Sequence, residues 1–548
     1  MPFDSFPAWT WTLPEHFNIG VACTDAHLGT PVADQIAMIV EDDRLGTTTA
    51  TYRELATASS RFAQLLRNLG VNLEDRVLIR LPNSLAYPTA FFGAMKRGAI
   101  AVPTSTLLTA EEVLYLAKDS GAAVLVTDKA MWAGLRDKLV GVDGLKYVLL
   151  AGSDSDPTPL KGEALDQPHV LDLETELAGI ESWPQPHKSR SHDPAYLVYT
   201  SGTTGYPKGV LHAHRAMIGR EPAARFWFDF ADDQDERILH SGKFNWTYVL
   251  GSGLMDPLYR GKTVIVHEGK NDAQGWINLM AKHRATIFIG VPTIYRQIIQ
   301  KTAATGADVP SLRHCMSAGE HLSDEMLGLW KERFGMDIYE AVGMSECSYY
   351  LSENKFRPIR PGSAGFPQPG HEVRLLDPDT LTEAPVGEDG MICISADDPG
   401  LFMRYWNLPE ETGKVFKDRW FLTGDYARLD EDGYLWFLGR KDDIINTFGY
   451  RVSPHEIERV MKTHPAVADC AASGEELDKD KVLVVAYVIL QPGAIASADD
   501  LLAFAREHLA AYKAPKIVYL VNAFPQTKNA KVIRRLLAPS LAVARSTP

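Results

Sequence analysis

Through the first third of the chain, helix and buried-strand signals alternate too closely for anything but layered α/β structure. Thr51 and Glu54 form a capping-box pair ahead of a helical stripe of Leu55, Phe62, Leu65, Leu66 and Leu69, with Gly70 as the stop. A short apolar run, Val77-Leu78-Ile79, is ended by Pro82, and a second helical stretch is expected from about Ala86 to Arg97. Ala122 to Val126 reads as a further buried strand. Strand, helix and strand at this spacing predict parallel pairing with helices on the faces. The chain has 548 residues, enough for roughly three or four domain-sized units.

The pattern changes twice. From about 362 to 437, Gly and Pro punctuate short runs such as Val373-Arg374-Leu375-Leu376 and Met391-Ile392-Cys393-Ile394, which predicts a small antiparallel, barrel-like β unit. After Arg440, Ser453-Pro454-His455-Glu456 combines an N-cap, Pro at the first helical position and a capping Glu, and the helix it opens is expected to stop near His464-Pro465. An apolar strand from Val482 to Leu490 follows, then a helix opened by Ser497 and Asp500. The reading is an α/β fold: a large N-terminal domain over 1–440 and a small α/β C-terminal domain over 441–548. No internal repeat and no low-complexity tract interrupts it.

The most informative string runs Tyr199-Thr200-Ser201-Gly202-Thr203-Thr204-Gly205-Tyr206-Pro207-Lys208-Gly209, directly after the apolar Tyr196-Leu197-Val198. Glycines that let backbone N–H groups approach closely, four hydroxyls and one lysine are the ingredients of a phosphate cradle. It is not a Walker A loop, because Gly209 follows Lys208 where Ser or Thr would be required. Taken alone, the string also fits an ordinary Gly/Thr surface turn.

The string resembles the phosphate-loop signature of the adenylate-forming superfamily, which holds acyl- and aryl-CoA synthetases, luciferases and peptide-synthetase adenylation domains. Later motifs recur in the family's order, so the resemblance spans about Tyr52 to Arg535. Tyr339-Glu340-Ala341-Val342-Gly343-Met344-Ser345-Glu346 is similar to the second core motif. By that resemblance Ser345 would contact the α-phosphate of ATP and Glu346 would hold Mg²⁺, a hard cation suited to a carboxylate. Glu340, Ala341, Gly319 and Glu320 would flank the adenine, with Val342, Gly343 and Met344 beside the nucleotide. Thr423-Gly424-Asp425 resembles the ribose clamp, and Gly439-Arg440-Lys441-Asp442-Asp443 the hinge, with Arg440 near the ribose and Asp442 at the pivot. Phe448-Gly449-Tyr450-Arg451 resembles the loop facing the pantetheine of coenzyme A. Pro525-Gln526-Thr527-Lys528-Asn529-Ala530-Lys531 resembles the signature of the adenylation lysine, here Lys531, with Ala530 in place of the usual glycine.

The resemblance implies an ATP-dependent carboxylic acid–CoA ligase with a mobile C-terminal domain. Lys531, Mg²⁺ at Glu346 and the hydroxyl-rich loop would neutralise charge as acid and α-phosphate meet, and Lys208 would attend the leaving pyrophosphate. The C-terminal domain would then swing about Asp442, so that Lys531 leaves and Gly449 arrives. Phe244, Asn245, Trp246, Thr247 and Tyr248 lie where the family places its acyl pocket, although Phe244 and Trp246 also fit plain core. Acetate-specific relatives carry a large aromatic at the position of Gly343, so a larger acid is expected, either aryl or medium-chain. Two alternatives stay open: transfer to a carrier-protein thiol, and a catalytically silent nucleotide-binding regulator.

Composition adds exclusions. A formal charge of −14 argues against an extended nucleic-acid surface. No run of roughly eighteen apolar residues implies a membrane span. The first residues lack the pattern of a secretory signal, and Ser546-Thr547-Pro548 is no peroxisomal address. Five scattered cysteines read as reduced thiols, so a cytoplasmic protein is expected, as monomer or homodimer. His212-Ala213-His214 has no ligand cluster nearby and is expected to lead from a loop into a helix.

Overall fold

The capping box at Thr51 forms as its spacing predicts. Thr51 Oγ1 accepts from Glu54 N at 3.2 Å, Glu54 accepts from Thr51 N at 2.8 Å, and the helix Tyr52–Asn68 follows. The helix Ala86–Arg97 packs against it. The structure is a computed structural model and describes residues 9–152, 168–200, 207–231, 235–270, 272–319, 322–440, 443, 445–447, 450–478, 481–509, 511, 513–526 and 532–546.

Two large sheets carry the N-terminal part. In the eight-stranded sheet the order is Arg404–Tyr405, Lys208–Ala213, Pro194–Thr200, Ile100–Pro103, Arg76–Arg80, Ala122–Asp128, Tyr147–Ala151 and His169–Asp172. From Pro194–Thr200 to His169–Asp172 the pairs are parallel, and the central strands are buried on both faces, hence their near-continuous Val, Leu and Ile.

The nine-stranded sheet runs Phe366–Pro367, Leu351–Ser352, Ile338–Val342, His314–Ala318, Ile287–Gly290, Arg237–His240, Thr263–Glu268, Ile36–Asp42 and Gly46–Thr51. The chain lays Thr263–Glu268 on one side of Arg237–His240, then crosses to the other side for Ile287–Gly290 and continues outward. Strand order therefore reverses at Arg237–His240, and the crevice past its carboxyl end is where such sheets take ligands.

The expected β unit is a five-stranded antiparallel sheet of Val373–Leu376, Asp389–Ser395, Trp420–Leu429, Phe416–Lys417 and Leu435–Arg440. Its limits differ from the reading of about 362 to 437. Phe366–Pro367 joins the nine-stranded sheet and Arg404–Tyr405 the eight-stranded one, and Pro409–Val415 is helical. Two-residue strands carry no period of their own, so tertiary contact alone selects their partners.

Beyond Arg440, helices Pro454–Met461 and Ala498–His508 pack on a sheet of Val467–Asp478, Lys481–Leu490, Ile517–Val521 and Ala542–Arg545. Ser497 and Asp500 form a capping box. At Ser453 the capping expectation is corrected. Pro454 does open the helix, but the Ser453 hydroxyl donates to Leu438 O, and Glu456 pairs with Lys513 instead of reaching back to the cap. The helix start is thereby tied to the last strand of the β unit. Among the described residues no helix is long and apolar enough to cross a membrane.

Candidate active site

Three strands of the nine-stranded sheet deliver their following loops to the switch-point crevice. Ile338–Val342 carries Glu340, Ala341 and Val342 and leads into Gly343, Met344, Ser345 and Glu346. His314–Ala318 ends at the exposed Gly319. Past Arg237–His240 come Asn245, Trp246 and Thr247, all half-buried. Thr247 Oγ1 stands 3.4 Å from Ser345 Oγ, and a Cβ on Gly319 would lie 3.5 Å from the Trp246 indole. The structure thus brings together Ser345, Gly319, Trp246 and Thr247. Phe244 is fully buried, 5.1 Å from the Tyr87 ring, and is core.

The second contribution is the hairpin of Pro194–Thr200 and Lys208–Ala213, antiparallel with Thr200 opposite Lys208. The Gly-rich segment therefore lies between two paired strands. Lys208 Nζ is 2.8 Å from Glu411 and 5.5 Å from the Tyr405 ring. Tyr405 donates its hydroxyl to Glu346 at 2.7 Å. Burial and the Glu346 charge push that phenol well above its ordinary range, so it stays a donor.

Backbone contacts fix the motif loop to the hairpin. His212 Nε2 donates to Ser345 O at 2.7 Å, and Phe402 N donates to Glu346 O at 2.8 Å. Burial holds the His212 imidazole neutral, down to about 3. His212 and Ala213 belong to a strand and His214 begins a 3₁₀ helix, so the segment does lead into a helix, but from a strand rather than the expected loop. His214 Nδ1 accepts from Ile19 N at 3.1 Å, so the two histidines serve different partners.

The five-stranded sheet supplies Asp425 and Arg440, opposite one another in register with Nε to carboxylate at 3.4 Å. Asp425 N donates to Thr423 Oγ1 at 3.0 Å. Burial raises the Tyr350 phenol, then Asp425 and Cys347 add to the shift, Arg440 opposes it and Glu346 adds again. At the residues expected to flank the adenine, Glu340 Oε1 accepts from Leu322 N at 2.9 Å, and Glu353 Oε2 accepts from Glu340 N at 3.0 Å. Burial first and the Glu340 charge second raise the Glu353 carboxyl well above the carboxylate range.

Behind the motif lies a buried ion pair: Arg220 holds Asp256 bidentately, at 2.8 and 2.7 Å, and also bonds Ser348 and the Tyr349 hydroxyl. Gly343 is needed against this anchored turn. A Cβ there would lie 2.6 Å from Tyr349 N and 2.8 Å from its Cα, so its first demand is backbone clearance rather than pocket width. Sequence reasoning missed Tyr405, Glu411, Tyr350, Glu353 and the Arg220–Asp256 pair, none of which has a local pattern. Ser201, Gly202, Thr203, Thr204, Gly205, Glu320, Asp442, Phe448, Gly449 and Lys531 lie outside the described residues, as do the side chains of Tyr450 and Arg451.

Comparison with known proteins bears on this geometry. The model of the AMP-binding enzyme matches residues 27–406, and that of the AMP-binding enzyme C-terminal domain matches 456–531. The chain belongs to the AMP-binding enzyme family. Among relatives, it is 32% identical to the benzoate–CoA ligase of Thauera aromatica, over 88% of this chain and 89% of that protein. It is 30% identical to a mitochondrial acyl-coenzyme A synthetase of Rattus norvegicus, over 89% and 83%. The solved structure of the anthranilate CoA ligase AuaEII with anthranoyl-AMP matches with a TM-score of 0.83 at 29% identity, covering 95% of this chain and 96% of that one. An AMP-binding enzyme with a smaller C-terminal domain is thus what the motif order led one to expect.

Proposed function

We propose that the protein is an ATP-dependent carboxylic acid–CoA ligase. It joins its acid to the α-phosphate of ATP with release of pyrophosphate, then transfers the acyl group from AMP to the thiol of coenzyme A. One observation carries the reading: the carboxylate of Glu346, the hydroxyls of Ser345 and Thr247 and the ammonium of Lys208 are held around one crevice by contacts from both large sheets.

A carboxylate is a poor electrophile, and adenylation gives it a good leaving group. Thr247 and Ser345 mark the place where the acid meets the phosphate. The residues present fit Mg²⁺: Tyr405 occupies one Glu346 oxygen, and the half-buried carboxylate is a hard oxygen ligand. Mg²⁺ held there would offset phosphate charge during the displacement. Lys208 exchanges Glu411 for the departing pyrophosphate, and Asp425 accepts from the ribose hydroxyls beside Arg440. Lys531 supplies charge for adenylation only, and the swing at Asp442 exchanges it for the Phe448–Arg451 loop, where Gly449 leaves room for the pantetheine.

The acid is an aryl or medium-chain carboxylate. Relatives that act on benzoate and anthranilate support the aryl case, as does the edge contact of Trp246 and Tyr248 at 5.2 Å, which builds an aromatic wall. Five buried, unpaired cysteines accord with a cytoplasmic setting. The test is incubation with ATP, Mg²⁺ and a panel of acids, with and without coenzyme A. AMP and a matching thioester are expected; ADP as product, or no acid dependence, refutes the reading. Lys531→Ala should slow adenylation by about two to three orders of magnitude while sparing thioester formation from pre-made adenylate.

A further inference from the structure

The helix Ala110–Ser120 packs on the eight-stranded sheet through Val113, Leu116 and Ala117. Tyr115 and Asp119 are one turn apart and share a face, and that face meets the hairpin that carries Lys208. Tyr115 donates its hydroxyl to Pro207 O at 3.2 Å, and Asp119 Oδ2 accepts from the Tyr199 hydroxyl at 2.6 Å. Pro207 directly precedes Lys208 and Tyr199 stands opposite Gly209, so the helix grips both chains of the hairpin next to the lysine. Burial first, then the hydrogen bond and charge of Asp119, raise the Tyr199 phenol well above its ordinary range, so it stays a donor. Asp119 also holds a second segment. Its carbonyl lies in the last turn, where helix carbonyls lack intrahelical donors, and it accepts from Trp406 Nε1 at 3.0 Å and Asn407 Nδ2 at 2.9 Å. Asn407 is left-handed, with φ at 55°, and two residues on begins the helix Pro409–Val415, whose Glu411 meets Lys208. Trp406 N in turn donates to Gly209 O at 2.7 Å.

One residue is thus bonded through its side chain to the segment that carries Lys208 and through its carbonyl to the segment that carries Glu411. Lys208 and Glu411 are partly exposed, and an ion pair of that kind is worth too little to set its own geometry, so the backbone on each side has to supply it. A carboxylate in a last turn opposes the helix dipole; the helix itself gives no reason for an aspartate there, whereas the Tyr199 hydroxyl does. We infer that Asp119 is a positioning residue for adenylation: with Tyr115 it fixes the spacing of Lys208 and Glu411, so that the lysine is already in place for the pyrophosphate of ATP. Asp119 acts through Tyr199 and Asn407, not on the substrate. This inference rests on the ligase reading and on the role of Lys208 within it.

The test uses the full chain with Asp119→Ala, Asp119→Asn, Tyr199→Phe and Asn407→Gly, each alone and combined with Lys208→Ala. It reads acid-dependent pyrophosphate release against ATP concentration, and thioester formation from pre-made adenylate. Tyr199→Phe removes a single oxygen, Asp119→Asn keeps an oxygen for Tyr199, and Asn407→Gly keeps the backbone conformation while removing the amide. Asp119→Ala, Tyr199→Phe and Asn407→Gly are expected to lower kcat/KM for ATP by about ten- to a hundredfold, the scale of a small misplacement of a reacting group. Asp119→Asn should restore most of that loss. Thioester formation from pre-made adenylate should be unchanged, and none of the three should cause a further loss in the Lys208→Ala background. A further loss in that background overturns the inference, as does an equal fall in both half-reactions, since either marks a general structural role. Unchanged kcat/KM for ATP in the three variants, or in Lys208→Ala itself, overturns it too, and all of these results leave the ligase reading intact. No acid-dependent pyrophosphate from the unsubstituted protein overturns the ligase reading and this inference with it.

Discussion

Acidification from pH 7.5 to 5.5 should weaken the N-terminal part of the chain by several kcal/mol, before any ordinary carboxylate titrates. Burial pushes the imidazoles of His212, His214 and His240 down to about 3 and that of His314 to about 4. For His214 and His240 the reason is also geometric, because the accepting Nδ1 already takes a backbone N–H and a second hydrogen there would oppose the donor. The unfolded chain binds these protons near pH 6.5 while the folded chain refuses them until about 3 to 4, so stability falls as pH falls through that window. Each histidine contributes about 1.4 kcal/mol per pH unit below 6.5, and the four together about 5 kcal/mol at pH 5.5. That approaches the whole stability of a typical domain, roughly 5–15 kcal/mol. Urea unfolding followed by tryptophan fluorescence at several pH values measures it. In His214→Gln the amide oxygen can still accept from Ile19 N but does not titrate, so the pH slope should drop by about 1.4 kcal/mol per unit. An unfolding midpoint that stays flat from pH 7.5 to 5.5, or an unchanged slope in His214→Gln, would refute the reasoning.

Arg220→Met strands Asp256 as a buried, unpaired charge and should cost about 3–5 kcal/mol in chemical denaturation; the paired change Arg220→Met with Asp256→Leu should recover most of it. Gly343→Ala should lower adenylation for acids of every length, because the methyl meets the Tyr349 backbone; a mere shift toward shorter acids would show that the glycine sets pocket depth. Asp425→Asn should raise the KM for ATP about tenfold and shrink the preference for ATP over its 2′,3′-dideoxy analogue, and an undiminished preference would remove Asp425 from the ribose. Tyr405→Phe should change the Mg²⁺ concentration for half-maximal rate about tenfold or more, read by Mg²⁺ titration, if Glu346 is the ligand.

Where a segment carries its own period or cap, the sequence was enough. The helices at Tyr52–Asn68, Ala86–Arg97 and Ala498–His508 and the strands Arg76–Arg80 and Lys481–Leu490 follow from local pattern. Ser453 shows the limit: its position at a helix start is local information, but the choice of Leu438 O over its own helix depends on a neighbour far along the chain. The site divides in the same way. Ser345, Glu346 and Asp425 stand in recognisable strings, whereas Tyr405 reaches Glu346 only because a two-residue strand pairs with Lys208–Ala213.

The pairing of Lys208 with Glu411 sets a threshold for entry to the site. Lys208 and Lys414 together hold that carboxylate charged, down to about 2, so across the physiological range the lysine always has a resident counterion. An anion arriving there must displace a carboxylate rather than a water shell, and a singly charged one gains little by the trade. On the proposed role of Lys208, a polyphosphate would bring enough charge to win the exchange, and Glu411 would reclaim the lysine once pyrophosphate had left. The same pair would keep small monoanions from resting on Lys208 between turnovers.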